Sequence, residues 1–330
     1  MDSNFWSILP TVVPQLFERV RQTAQARSGA GAASPTRYTY STSGGVAELR
    51  LDGVLLKHDD GYGAMTSTVA ARETVRAMRT DPSVKAVLLI IDSPGGTVGG
   101  SYDLADEVAA LSKVKPVTAF VEDLGASAAY LIASQARSIS ANRTALVGSI
   151  GTYSVVFDTS AQFASAGIRT IVTRSGQFKG AGVAGSPVTA AQEAEFQKLV
   201  DGLNENFVTA VSTGRRMNRA SVLALADGRV FLAGEAVKNG LIDRVETLDD
   251  VRARARDEAN GVAPSAATRS AQALVGAGVR FMKFVELKEL DGVSRLAAMG
   301  TVQQERPELH AAWLSEFNAE HVGKTRSNRR

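Results

Sequence analysis

Hydrophobic and polar positions along this chain switch repeatedly between a period near two and a period near 3.6. Val46-Ala47-Glu48-Leu49-Arg50-Leu51 alternates like a strand, and Asp52-Gly53 turns it. Over 67–80 the apolar spacing at Val69, Val75 and Met78 is helical and stops at Asp81-Pro82. Val84 to Ile91 is β-branched and almost wholly apolar, the pattern of a strand covered on both faces. Residues 100–112 place Leu104, Val108 and Leu111 on one helical face, Pro116 to Val121 reads as a strand, and 126–136 as a helix. Strand-like runs follow at 146–157 and 168–173, with a helix near 159–166 between them. A long helix over 189–213 carries Phe196, Leu199, Val200, Leu203 and Phe207 at helical spacing. Shorter helices are expected at 219–227 and 233–239, a last strand at 241–245 and a final helix at 248–257.

Strands alternating with helices predict an α/β unit with a mostly parallel sheet, occupying 46–257. Before it, residues 1–27 are expected to be a helical segment. Over 3–26 its apolar positions include Phe5, Ile8, Leu16 and Val20, although Pro10 and Pro14 interrupt the first half. Residues 28–45, rich in Gly, Ala and Ser, are linker in composition. After Asn260-Gly261-Val262-Ala263-Pro264 the composition turns to Ala, Ser, Thr and Gly, and 279–320 carries helical fragments with weak apolar faces. Residues 258–330 are therefore expected to form a linker and a mobile helical extension. No internal repeat is present, which favours one catalytic unit.

Composition narrows the chemistry. The 330 residues are 44% hydrophobic and 22% charged, as in ordinary soluble proteins. The net charge, 37 − 34 = +3, gives no reason to expect nucleic acid. The four basic residues within Lys324–Arg330 read as a solvated tail. Absence of cysteine excludes disulfides, Cys-ligated zinc and a thiol nucleophile. The three histidines, His58, His310 and His321, lack the contexts of a serine-hydrolase triad or a zinc helix. Any hydrolytic base is thereby pushed towards lysine. The apolar stretch Asn4–Pro14 has no basic flank and two prolines, so neither an export signal nor a membrane anchor is expected, and the expected location is cytoplasmic. With no metal cluster, phosphate loop or dinucleotide fingerprint, no cofactor is expected.

Three segments could carry chemistry. Asp92-Ser93-Pro94-Gly95-Gly96 follows the buried strand and precedes a helix, where parallel sheets bind ligands. Glycines there let backbone N–H groups approach a developing oxyanion, although a plain tight turn would use the same residues. Ser127, in Gly125-Ala126-Ser127-Ala128-Ala129, sits where a sharp strand-to-helix turn would expose its Oγ; a plain N-cap serine is the other reading. Lys179, in Ser175-Gly176-Gln177-Phe178-Lys179-Gly180, could take the Ser127 proton if burial among apolar neighbours favours its neutral amine; otherwise it is a solvated loop lysine.

Taken together, Ile91-Asp92-Ser93-Pro94-Gly95-Gly96, Ala126-Ser127-Ala128-Ala129-Tyr130 and Val147-Gly148-Ser149-Ile150-Gly151, with Lys179 at the family's usual distance from the nucleophile, resemble the S49 serine peptidases. These are the signal-peptide-peptidase-A-like group within the ClpP/crotonase fold, and the resemblance covers roughly 46–250. It implies Ser127 as nucleophile, Lys179 as general base and Ser149 as the group that orients the amine. It also implies oxyanion donors among the backbone N–H groups of Gly95, Gly96 and Ala128. Ser-Ala-Ala-Tyr around the nucleophile and Trp-x-Ile-Leu-Pro near the start are similar to the head-maturation proteases of tailed phages and prophages. That branch implies capsid or scaffold proteins as polypeptide substrates, self-association into a homo-oligomer, work within a bacterial host or a prohead, and a C-terminal extension that is itself cleaved. Within the same fold, a crotonase-like acyl-CoA enzyme would use a carboxylate such as Glu122 or Asp123 in place of the serine. A signal-peptide- or peptide-degrading S49 peptidase and a non-catalytic shell component are the remaining alternatives.

Overall fold

The structure, a computed structural model, describes residues 6–8, 40–58, 65–262 and 294–305, together with positions 307, 308, 310, 311 and 314. The chain forms two compact units, Met1–Gly261 and Val262–Arg330. In the first unit the chain runs through β1 (Trp6–Ile8), β2 (Ser41–Ser43), β3 (Val46–Asp52), β4 (Val54–Leu56), β5 (Met65–Ser67), α1 (Thr68–Thr80), β6 (Ala86–Ser93), β7 (Gly95–Thr97) and α2 (Ser101–Ser112). It continues through β8 (Val117–Ala126), α3 (Ala128–Ala133), β9 (Ser138–Ala141), β10 (Leu146–Gly148), α4 (Ser160–Ser165), α5 (Ala190–Arg215) and α6 (Arg219–Leu223). It ends in β11 (Val230–Leu232), α7 (Ala233–Lys238), β12 (Arg244–Val245) and α8 (Leu248–Ala259).

The larger sheet has the order β11-β10-β8-β6-β3-β2, with β9 also along β8 and β12 along β9. Pairs β3–β6, β6–β8, β8–β9, β8–β10 and β9–β12 are parallel, while β2 and β11 are antiparallel to their neighbours. This is the expected α/β class with a mostly parallel sheet. A smaller sheet has the order β1-β7-β4-β5.

The uninterrupted apolar run of β6 has a direct cause. Val87, Leu89 and Ile91 pack in one cluster with Leu49, Leu104 and Val108, whereas Ala86, Leu88 and Ile90 pack in another with Phe120, Val251 and Ala255. Both faces are covered, so alternation disappears. Each such buried aliphatic side chain contributes about 1.5–3 kcal/mol. Helix ends are set locally: Thr189 with Gln192 and Thr247 with Asp250 form capping boxes at α5 and α8. The Arg252 guanidinium donates to both Glu48 carboxylate oxygens, at 2.8 and 2.9 Å, and ties α8 to β3.

A polar knot holds the helix that follows the candidate nucleophile. Tyr130, fully buried on α3, donates its hydroxyl to the Leu241 carbonyl at 2.8 Å. The nearby Arg215 donates to Asp243 and to the Gly240 carbonyl. Burial pushes the Asp243 carboxyl up, but the hydrogen bonds and charge of Arg215 and the Ile139 N–H outweigh it and hold it below the usual carboxylate range.

Several local expectations are corrected. Trp6–Ile8 is a strand, not part of a helix, and the rest of the expected 3–26 helix lies outside the described residues. Of 146–157, only Leu146–Gly148 is a strand, and 168–173 forms none. The edge of β10 that such a run could extend is taken by β11, and strand composition without a pairing partner makes no strand. In the second unit, Arg295–Glu305 forms helix α9, and most of 258–330 lies outside the described residues. Among the described residues no helix is long and apolar enough to cross a membrane.

Candidate active site

The carboxyl ends of three parallel strands meet at the candidate nucleophile. Gly125 of β8 lies opposite Ser93 of β6, and Ala126 lies opposite Gly148 of β10. The next residue along β8 is Ser127, and the next along β10 is Ser149. Ser127 has φ 55° and ψ −121°, a region that non-glycine residues avoid at a cost of about 1–3 kcal/mol. Its N–H donates to the Gly148 carbonyl at 2.8 Å, and its carbonyl accepts from the Leu131 N–H at 2.9 Å. It is 1% exposed, and Ala126, Ala128 and Ala129 around it are fully buried. Only small flanking residues allow so tight a turn. A capping serine sits in extended backbone and bonds the first helical turn. Ser127 does neither: its side chain makes no capping bond to α3.

Ser149 repeats this strain with φ 49°, is 4% exposed, and its N–H donates to the Arg229 carbonyl at 2.7 Å. Adjacent strands lie about 4.8 Å apart, so sheet register makes Ser127 and Ser149 neighbours. The residue pattern alone did not single out Ser149; only its resemblance to a family did, because the register of β8 on β10 is invisible in sequence.

The glycine corner has distinct roles for its two residues. Gly95 has φ 97°, and its N–H donates to Ser93 Oγ at 3.2 Å. A Cβ on Gly96 would lie 1.7 Å from the Leu55 carbonyl oxygen, so only glycine lets β7 close against β4. Gly96→Ala is therefore expected to cost about 3 kcal/mol, read as a lower urea midpoint with an unchanged slope; an unshifted midpoint would show that β4 yields freely. Ala128 is the first residue of α3, so its N–H has no acceptor within the helix.

Of the two settings open to Lys179, the single chain shows the solvated loop. It is exposed, its N–H bonds the Gly176 carbonyl at 3.0 Å, and its Nζ has no hydrogen-bond or ion-pair partner among the described residues. The surrounding segment is apolar in part, and those side chains face outward. Over the arm 151–188, Phe157 and Ile171 are each 73% exposed, and Val155, Ile168, Phe178 and Val183 are exposed as well. The chain's own fold thus does not bury this amine.

Beside Ser149 runs an open groove lined in part by Tyr153, Asn204 and Asp227. Asn204 Oδ1 is buried without a hydrogen-bond partner among the described residues. Nothing in the sequence pattern marked these positions. Of the carboxylates considered for acyl-CoA chemistry, Glu122 is paired with the Arg50 guanidinium and Asp123 is exposed. The Asp92 carboxyl is pushed up by burial and then by the Asp123 charge. Among the described residues no group of three or more His, Asp or Glu side chains could hold a metal ion.

Comparison with known proteins follows the same lines. Residues 109–262 match the family model described as Peptidase family S49. A candidate protease of Methanocaldococcus jannaschii is 34% identical over 183 residues, covering 56% of this chain and 59% of that protein. Capsid assembly protease C of Escherichia phage lambda is 29% identical, covering 66% and 50%. The head-tail preconnector protein GP5 of Enterobacteria phage P21 is 28% identical, covering 83% and 56%. The chain thus spans about half the length of these curated relatives. Similar solved structures include an enoyl-CoA hydratase of Mycobacterium smegmatis, with a TM-score of 0.42, 16% identity and coverage of 82% and 90%. The ClpP catalytic domain of Plasmodium falciparum gives a TM-score of 0.39, 13% identity and coverage of 61% and 86%.

Proposed function

We infer, on the premise that residues 109–262 belong to peptidase family S49, that this chain is a serine endopeptidase working through Ser127 and Lys179. The observation that carries the reading is the strained, non-capping Ser127 at the carboxyl end of β8, with Ser149 at the next strand end. In this mechanism Ser127 Oγ attacks the peptide carbonyl carbon while the neutral Lys179 amine takes its proton. Collapse of the tetrahedral intermediate breaks the C–N bond, and the lysine returns the proton to the leaving amine. Water, deprotonated by the same amine, then attacks the acyl carbon; the C–Oγ bond breaks, and Ser127 Oγ takes the proton back from the lysine. The Ser149 hydroxyl orients the amine. The oxyanion donors are the N–H groups of Ala128 and of the Gly95–Gly96 corner.

A lysine can act as a base only when desolvation favours its neutral form. We assign that burial to a second copy of the chain covering the apolar arm 151–188, which fits the homo-oligomer implied by the sequence resemblance. The name of capsid assembly protease C supports capsid proteins as substrates; scaffold proteins, the bacterial host or prohead as the place of work and self-cleavage within 258–330 are carried over from the sequence resemblance. Mass spectrometry tests this after incubation of the full chain alone, and with the scaffold and capsid proteins of a tailed phage. The reading expects fragments with wild type and none with Ser127→Ala; identical fragments from both, or none from either, would refute it.

A further inference from the structure

Strand β7 carries the glycine corner, and both its edges are occupied. On one side Gly96 lies opposite Leu55 of β4. On the other, the chain's own N-terminal segment pairs antiparallel, with Trp6 opposite Thr97, Ser7 opposite Gly96 and Ile8 opposite Gly95. We propose that β1 is an internal occupant of the polypeptide-binding edge, a strand that an extended, uncharged substrate segment must displace to reach Ser127. The proposal rests on the peptidase reading above and goes beyond it in naming what holds the edge and what kind of segment replaces it.

Four observations lead there. The pairing is through backbone, the sequence-tolerant way in which a sheet edge takes up an extended peptide. The polarity is that of the acyl side of a substrate: β1 runs from Trp6 opposite Thr97 to Ile8 opposite Gly95, so its carboxyl end heads for the corner at the end of β6, beside Ser127. The segment Asn4–Pro14 contains no charged residue, in a chain that is 22% charged. Finally, β1 is three residues long, and so short a pairing is marginal by itself. Tethering through the chain raises its local concentration, yet a longer substrate strand can exchange with it. The 31 residues between Ile8 and Tyr40 give the displaced segment ample length to move away.

The double substitution Ser7→Pro/Ile8→Pro in the full chain removes two successive N–H donors, one of which faces β7 in either phase of the ladder, so the pairing to β7 is broken. Two measurements follow. The rate of fluorophosphonate labelling is expected to rise at least fivefold over wild type, with an unchanged circular dichroism spectrum. A fluorescent peptide with the sequence of Asn4–Thr11 is expected to bind saturably, by anisotropy, to the proline variant carrying Ser127→Ala, and at least tenfold more weakly to Ser127→Ala alone. Equal labelling rates together with equal or absent peptide binding would overturn the proposal. Absence of labelling in every form would count against the peptidase reading alone, because peptide binding confined to the proline variant would still uphold strand exchange.

Discussion

Ser127→Ala is expected to lower kcat/KM for peptide-bond hydrolysis by about 10³-fold or more, with a shift in melting temperature of only a few degrees. The substitution deletes one oxygen from a side chain that caps no helix. The backbone strain at φ 55° is as unfavourable for alanine as for serine, so it leaves the fold largely unchanged. Steady-state kinetics on a chromogenic peptide, with a thermal melt of the same sample, separates the two effects. Activity retained within tenfold would mean that another group attacks the carbonyl.

Lys179→Met should cost about 10²–10⁴ in kcat, the usual worth of a positioned general base. Lys179→Arg should not rescue it, because a guanidinium does not give up its proton at neutral pH. The melting temperature of dilute protein should not change, since the side chain is exposed in the single chain. If a second copy buries the arm, wild-type activity per chain will rise with protein concentration. Phe157→Asp, at a 73%-exposed position, should flatten that rise without unfolding the protomer. Measurement of specific activity across a hundredfold dilution series, with sedimentation velocity alongside, reads both. Full activity of a strict monomer would exclude the shared arrangement.

Much of the fold was legible because its signals are local. The buried run of β6, the helical faces of α1 and α2, and the stop at Asp81-Pro82 each follow from periodicity or backbone chemistry within a dozen residues; of the face expected on α5 only Phe207 joins the core, and Leu199 is exposed. Ser127 and the glycine corner were legible as small-residue turns at strand ends. What stayed hidden depends on partners distant in sequence. The run Ile168-Arg169-Thr170-Ile171-Val172-Thr173 has a strand's composition but pairs with no strand. Trp6–Ile8, read as helical from its apolar spacing, instead extends along Gly95–Thr97. Asn204 became part of the groove beside Ser149 only through the packing of α5. The residue pattern left Lys179 open between a buried base and a solvated loop lysine, and the single chain shows the loop. Apolar residues of the same segment, Phe157 and Ile171 among them, also face solvent.

The most direct measurement is peptide mapping by mass spectrometry of the full chain after fluorophosphonate treatment, with the adduct followed over time in wild type and Lys179→Met. A single adduct on the peptide containing Ser127, formed about 100-fold more slowly in Lys179→Met, is the predicted result. An adduct on a different serine, or equal rates with and without the lysine, would contradict a nucleophile at 127 activated by the amine at 179.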